Sequence, residues 1–421
     1  MKRSGKLLTT CLLAASLLVP AMGVSANGDT SNTGNGQENF RVLIDAKNKN
    51  EKANLKDRFG VQWEFEEEGF TTEMNENQFK ALQKNKNINV EKVPKYTIEA
   101  TSFKPEAKFT ATAAAQSTPW GIRAIYNNNS LTSTSGGSGI NIAVLDTGVN
   151  VNHPDLANNV RQCKDFTFTR QIRDNSCTDR QGHGTHVAGS AMANGGGGSG
   201  VYGVAPQANL WAYKVLGDNG SGSADDIATA IRHAADQAVS LNTKVVINLS
   251  LGSSVESSLI TNAINYAYSR GVLVVAAAGN TGPAEGTIGY PGAVTNAIAV
   301  AALENTIQNG THRVADFSSR GFRATAGDYV IQKGDVEISA PGAAVYSTWY
   351  NGGYATISGT SMASPHIAGL AAKVWSQYPT ATNTQLRGDL QSRAYSYDIL
   401  SGIGAGYGDD YASGFGFARV N

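Results

Sequence analysis

Apolar residues follow two rhythms along this chain. From about residue 140 onward, short apolar runs at 140–145, 209–215, 244–248, 272–277 and 297–301 alternate with longer amphipathic stretches at 183–193, 224–240, 257–270 and 361–377. Runs that are apolar throughout predict strands buried on both faces, and the amphipathic stretches predict helices. Strands alternating with helices predict an α/β fold, a parallel sheet covered by helices on both faces. Earlier in the chain, 40–44 predicts a strand and 51–59 a charged helix. A second helix is predicted at 75–85, with Phe79 and Leu82 on one face, and a closing strand at 96–99. Together these predict a small α+β domain ahead of the large one. The polar stretch 28–38 predicts disorder.

The N-terminus has a third character. Lys2, Arg3 and Lys6 precede an apolar stretch, 7–24, that ends in Val24-Ser25-Ala26. A basic start, an apolar centre and a small-residue end predict a secretory signal peptide, residues 1–26, and hence an extracellular protein. Thr9, Thr10, Ser16 and Pro20 weaken the stretch as a permanent anchor.

Charge separates the remaining chain into two parts. Roughly three residues in ten are charged over 27–114, against about one in eight beyond. The predicted organisation is therefore 1–26, 27–114 and 115–421, joined by a small-residue linker at 111–115. Formal net charge is zero with no basic run, which argues against nucleic acid or an anionic membrane as partner. Of three cysteines, Cys11 falls in the signal, which leaves Cys163 and Cys177. Export favours a disulfide between them.

Candidate chemistry lies in three segments. Ala143-Val144-Leu145-Asp146-Thr147-Gly148 ends a predicted strand, His183-Gly184-Thr185-His186-Val187-Ala188-Gly189 opens a helix, and Gly359-Thr360-Ser361-Met362-Ala363-Ser364-Pro365 opens another. A serine hydroxyl needs an imidazole to take its proton and a carboxylate to orient that imidazole. Ser361 is the candidate nucleophile, His183 the base and Asp146 the orienting acid. His186 is read as a packing residue, and Ser364 as a rival facing elsewhere on the first turn. Gly195, Gly197 and Gly200 match a dinucleotide fingerprint formally, but they follow a helix and are rejected as one.

In these motifs and their Asp, His, Ser order, the chain from Gln116 onward resembles the secreted bacterial subtilisin-like serine proteases. The resemblance implies a serine endopeptidase of broad specificity, favouring large apolar residues and acting through an acyl-enzyme. It implies that 27–114 is a propeptide that assists folding and covers the active site until self-cleavage near 111–115. Asn280 is then the side-chain donor to the oxyanion, beside the Ser361 N–H. Substrate edges are Ser250-Leu251-Gly252 and Gly220-Ser221-Gly222, with Gly289-Tyr290-Pro291-Gly292 lining the primary pocket. A structural Ca²⁺ is expected on Gln116, Asp155 and the carbonyls of Asn194, Ser199 and Val201, with Gly197 where relatives often carry an amide. The expected partners are peptide substrates and the chain's own propeptide, and the protein is expected to be a monomer. A catalytically inactive peptide-binding protein on the same fold is the alternative.

Overall fold

The computed structural model describes residues 38–104, 114 and 117–420. The signal peptide, most of 28–38, most of the 111–115 linker and Gln116 lie outside the described residues.

The first domain contains β1 (Phe40–Ala46), α1 (Lys49–Phe59), β2 (Glu64–Phe65), β3 (Gly69–Met74), α2 (Glu76–Gln83) and β4 (Ile88–Lys92). Its strands form an antiparallel sheet in the order β2-β3-β1-β4. Both helices start at asparagine caps, since the Asn48 and Asn75 side chains accept backbone N–H groups of the first turn. One face of the sheet packs under the helices through Val42, Ile44, Phe70, Met74, Phe79 and Leu82. The expected closing strand is not part of this sheet. β4 closes it instead, while β5 (Lys95–Ile98) and β6 (Ser102–Lys104) leave the domain altogether.

The large domain is built on β7 (Ile140–Asp146), β8 (Val160–Asp165), β9 (Arg173–Asp174), β10 (Asn209–Lys214), β12 (Lys244–Leu249), β14 (Leu273–Ala277), β15 (Ala297–Gln308), β16 (Thr311–Val314) and β17 (Ile338–Pro341). The order is β16-β15-β14-β12-β7-β10-β8-β9, with β17 also on β15. Six of these, from β15 across to β8, run parallel, and β16 and β9 are antiparallel edge strands.

Successive side chains of a strand point to opposite faces. Ile142 and Val144 accordingly enter a core with α4 (His183–Met192) and α7 (Thr360–Gln377). Ala143 and Leu145 enter another with α5 (Ala224–Ser240) and α6 (Ser258–Ser269). Short strands β11 (Ser221–Ser223), β13 (Leu251–Gly252), β18 (Val345–Thr348) and β19 (Tyr354–Ser358) line the carboxyl ends of the sheet, and α3 (Trp120–Ile125) and α8 (Asn383–Tyr395) complete the layer.

The first domain sits on α5 and α6, and Leu43 and Phe65 join their core. Arg41 reaches Asp225 at 2.7 Å, Thr71 Oγ1 donates to Asp225 at 2.6 Å, and Trp63 Nε1 donates to Asp226 at 2.6 Å. These carboxylates occupy the first turn of α5, where the helix dipole favours negative charge.

Candidate active site

Asp146 is the last residue of β7 and is fully buried. His183 is the first residue of α4, and its Nδ1 lies 2.8 and 3.0 Å from the two Asp146 oxygens. Their approach depends on glycine. A Cβ at Gly184 would stand 2.1 Å from the Gly148 carbonyl oxygen, so no other residue fits there. Asp179, missed by sequence reasoning, holds this helix start: it accepts from Thr147 Oγ1, Gly182 N, Thr185 N and Thr185 Oγ1. An Asp three positions ahead of Gly182, in the turn that leads into a helix start, is a turn-forming signal that could have revealed it. Burial raises the Asp179 carboxyl, against the pull of those donors.

Ser361 lies in the first turn of α7. Pro365, one turn on, has no N–H to give the Ser361 carbonyl, and Ser250 Oγ donates to it instead at 2.7 Å. Asn248 Nδ2 donates to Ser250 Oγ, while Ser364 Oγ donates to Asn248 Oδ1, which ties Ser364 into a buried structural network. The Ser361 hydroxyl donates to the Ser250 carbonyl at 2.9 Å and makes no hydrogen bond to the imidazole. His183 Nε2 is buried and has no hydrogen-bond partner among the described residues. It is therefore free to accept a proton. His186 contacts the Val345 and Ala355 carbonyls, and burial lowers its pKa to about 3, so it packs as a neutral ring.

Asn280 follows β14. Its Oδ1 accepts Thr360 N–H at 2.9 Å, and its Nδ2 is buried without a partner among the described residues.

The cleft holds part of this chain. β5 lies antiparallel between β11 and β13, pairing Tyr96 with Gly222, Thr97 with Ser221 and Gly252, and Ile98 with Leu251. Ile98 N–H donates to Gly220 O at 3.0 Å. Both expected edges thus bind an extended segment, 95–98, while most of the linker at 111–115 lies outside the described residues. Tyr96 is buried and its hydroxyl donates to Val255 O. Glu99 follows: its N–H donates to Ser361 Oγ at 3.0 Å, and its carbonyl accepts Ser361 N–H at 3.2 Å. Burial pushes the Glu99 carboxyl up to about 7, against the Asn280 N–H, His183 and the Asn280 side chain. The Gly289–Gly292 segment is pinned nearby, since Tyr290 and Ser253 exchange backbone hydrogen bonds.

Asp155 is buried against the glycine loop. Its Oδ2 accepts Val201 N–H at 2.8 Å, and its Oδ1 has no hydrogen-bond partner among the described residues. Gly195 to Gly198 all have positive φ, and a Cβ at Gly196 or Gly200 would stand 2.1 or 1.9 Å from that bare oxygen. The loop can close on the carboxylate only because it lacks side chains. The Ser199 carbonyl accepts Ala114 N–H and the Val201 carbonyl accepts Gly195 N–H, each with a second lone pair left. Asn194 O belongs to the same loop, while a side chain at Gly197 would face open space. Among the described residues no three His, Cys, Asp or Glu group as a metal cluster, so a cation here would rest on carbonyl oxygens and one carboxylate. Cys163 and Cys177 are joined by a disulfide.

Comparison with known proteins agrees with this geometry: the sequence model of the subtilase family matches residues 137–416. The chain belongs to the subtilase family. It is 71% identical to a subtilisin of Bacillus sp. (strain TA39) over 421 residues, all of both chains. It is 43% identical to an alkaline protease of Alkalihalobacillus alcalophilus over 70% of this chain and 69% of the relative. Among solved structures, the S41 psychrophilic protease (79% identity) and sphericase (71% identity) each superpose with a TM-score of 0.73, over 73% of this chain and all of theirs. This subtilase is a serine endopeptidase, a hydrolase of peptide bonds, on a subtilisin-like α/β fold.

Proposed function

We propose that Ser361 attacks the carbonyl of an extended peptide held between 220–222 and 250–252. His183 takes the hydroxyl proton at Nε2 and passes it to the leaving amine, and Asp146 fixes the tautomer with the proton on Nδ1. The Ser361 N–H and Asn280 Nδ2 receive the negative charge on the carbonyl oxygen, and the unfinished turn at the start of α7 adds its dipole. Water then hydrolyses the acyl-enzyme.

The observation that carries this reading is the pair of bonds between Ser361 and Glu99, which sets a peptide carbonyl on the nucleophile's own N–H beside a bare imidazole nitrogen and a bare amide donor. Gly252 and Asn280 stand against the seated Glu99 side chain, and neither carries a charge to pair with a charged substrate residue. That supports broad cleavage with a preference for large apolar residues.

In this reading the protein is exported, residues 27–114 act as intramolecular inhibitor and folding partner, and the active form is a monomer. Asp155 and the carbonyls of Asn194, Ser199 and Val201, with Gln116, would hold a Ca²⁺ whose charge satisfies the bare carboxylate oxygen. Bound there, the ion is structural and takes no part in the chemistry.

Labelling with a serine-directed organophosphate tests the proposal. The mature protein is expected to gain one label on Ser361 and lose peptide hydrolysis, and Ser361→Ala to lose both. A mature protein that binds peptides yet remains unlabelled would be an inactive member of the family.

A further inference from the structure

Thr147, the residue after the catalytic carboxylate, commits every polar group it has to a charged or catalytic neighbour. Its N–H donates to Asp146 Oδ1 at 2.7 Å, and its hydroxyl donates to Asp179 Oδ1 at 3.0 Å while accepting Gly184 N–H at 3.0 Å. Its carbonyl accepts the Lys214 ammonium at 2.6 Å. We propose that Asp179 and Lys214 are positioning residues of opposite charge, joined through Thr147, which together set the pH range over which His183 acts as a base. This inference rests on the catalytic roles assigned above and adds two charged residues to them.

The sheet puts Lys214 where it is. β10 runs parallel to β7 in a register that pairs Lys214 with Asp146, and both strands end at that pair. Just beyond it, Val215 N–H and Leu216 N–H both donate to the Asp146 carbonyl, at 2.9 and 3.1 Å, so the two strand ends move as one. Lys214 is buried, and its other partner, at 2.9 Å, is Asp218, a half-exposed carboxylate that Arg180 also approaches. The bond from Lys214 holds the Asp218 carboxyl below its ordinary range. A buried ammonium is costly unless interior charge of the opposite sign offsets it. Asp146 and Asp179, both buried and both bonded to Thr147, supply that charge.

Asp179 is the counterweight. Its two oxygens accept from Thr147 Oγ1, Gln181 N, Gly182 N, Thr185 N and Thr185 Oγ1. Five donors suit an ionised carboxylate, which has only acceptor sites, although burial pulls the other way.

The balance matters for the base. Two carboxylates beside one imidazole favour its protonated form and so withhold the base until the pH is high, whereas a nearby ammonium works in the opposite direction. Among the described residues, the other titratable groups facing His183 are His186 on the same helix, a neutral ring, and Glu99 while residues 95–99 are seated. Neither brings a positive charge, and the offset falls to Lys214.

The test measures kcat/KM against pH for the mature protein on an uncharged peptide substrate, with kcat and KM separated at the plateau. Lys214→Met removes the ammonium and keeps most of the stem. It is expected to move the acid limb of the profile to higher pH by about half a unit. Lys214→Arg, which restores the charge, should return the limb to the parent's position. Asp179→Asn should move it to lower pH. Opposite shifts separate charge from packing, because a merely structural role would lower the plateau in each variant and leave the limb in place. Unmoved limbs would overturn the proposal, and so would limbs that move the same way in Lys214→Met and Asp179→Asn. Should Asp179→Asn fail to fold, the Lys214 variants decide alone, and a limb common to Met, Arg and parent sinks the idea. Failure of the catalytic assignment looks different: the parent itself takes no organophosphate label on Ser361 and hydrolyses no peptide at any pH.

Discussion

Asn280 and Thr360 are locked together by the amide oxygen, which accepts both the Thr360 N–H at 2.9 Å and the Thr360 hydroxyl at 3.1 Å. With its oxygen committed, the Asn280 amide can only present its NH₂ group to the cleft, where Nδ2 is buried beside the Glu99 carboxyl without a well-formed hydrogen bond. A donor aimed in advance at the developing charge needs no reorganisation during reaction. Asn280→Leu is therefore expected to lower kcat by about 10²–10³, a magnitude established for this donor in a subtilisin and carried over here. KM should change little, since the charge exists only in the transition state. Steady-state kinetics on a peptide substrate separate the two constants, and an equal effect on KM would assign Asn280 to ground-state binding.

Reading the sequence reached the parallel core readily, because strands buried on both faces are apolar at nearly every position. The sorting of Ile142 and Val144 from Ala143 and Leu145 shows why such runs need no alternation. Two-residue strands such as β2, β9 and β13 carry no period at all. β3 was hidden by Thr71 and Thr72, polar residues that are buried because Thr71 serves Asp225 and Thr72 bonds Phe59 O across the domain. For 96–99 the extended backbone was legible but its partner was not. Alternation reports one strand's shape and says nothing about whether a sheet in the same domain or a distant cleft completes it. Glu99 was invisible for the same reason, since its importance comes from register against Ser361, 262 positions away. The triad residues could be read because their chemistry demands particular side chains beside particular glycines.

Glu99 also gives the cleft a pH dependence. Burial raises its seated carboxyl from an ordinary value near 4.5 to about 7. A raised acid contributes its full share to the seated state below the ordinary value, loses it as pH climbs to about 7, and changes no further above. The expected comparison is between uncleavable precursors, Ser361→Ala and Ser361→Ala with Glu99→Gln. Their difference in unfolding free energy should move by about 2 to 3 kcal/mol against the Glu form between pH 4.5 and 8. Denaturant titrations at several pH values measure it, and parallel curves would show that the seated carboxyl is not held in its neutral form.

The disulfide closes a short loop directly ahead of the catalytic helix. Cys163 lies on β8, and Cys177, 14 positions further along, is almost fully buried and accepts the Val149 N–H with its carbonyl. Constraining a loop of this length in the unfolded chain contributes about 3 kcal/mol. The double replacement Cys163→Ser, Cys177→Ser should lower unfolding free energy by about that amount. Because Asp179, not the disulfide, holds the start of α4, kcat at a temperature well below unfolding should fall far less than in an Asp179→Ala variant. Kinetics and denaturation on the two variants distinguish a stabilising crosslink from a positioning one.

Asp155 offers a test of the proposed ion that does not depend on activity. Its Oδ1 lies buried without a hydrogen-bond partner among the described residues, in a loop of four consecutive glycines with positive φ, and the Val201 N–H, His153 and the Tyr354 side chain offset the burial of its charge only in part, which leaves room for a cation or a proton. A proton is the alternative in the absence of metal, consistent with burial raising this carboxyl. If calcium binds the folded form alone, free calcium at a hundredfold excess over Kd contributes about 2.7 kcal/mol, and chelation removes it. The melting temperature of the mature protein should then fall by several degrees on chelation and recover with added Ca²⁺. In Asp155→Asn, which keeps the shape of the side chain and drops its charge, the protein with chelator should melt close to the chelated parent, and the response to Ca²⁺ should shrink sharply. A variant that retains the parent's full response would move the ion to another part of the molecule and leave the glycine loop closed around a protonated acid.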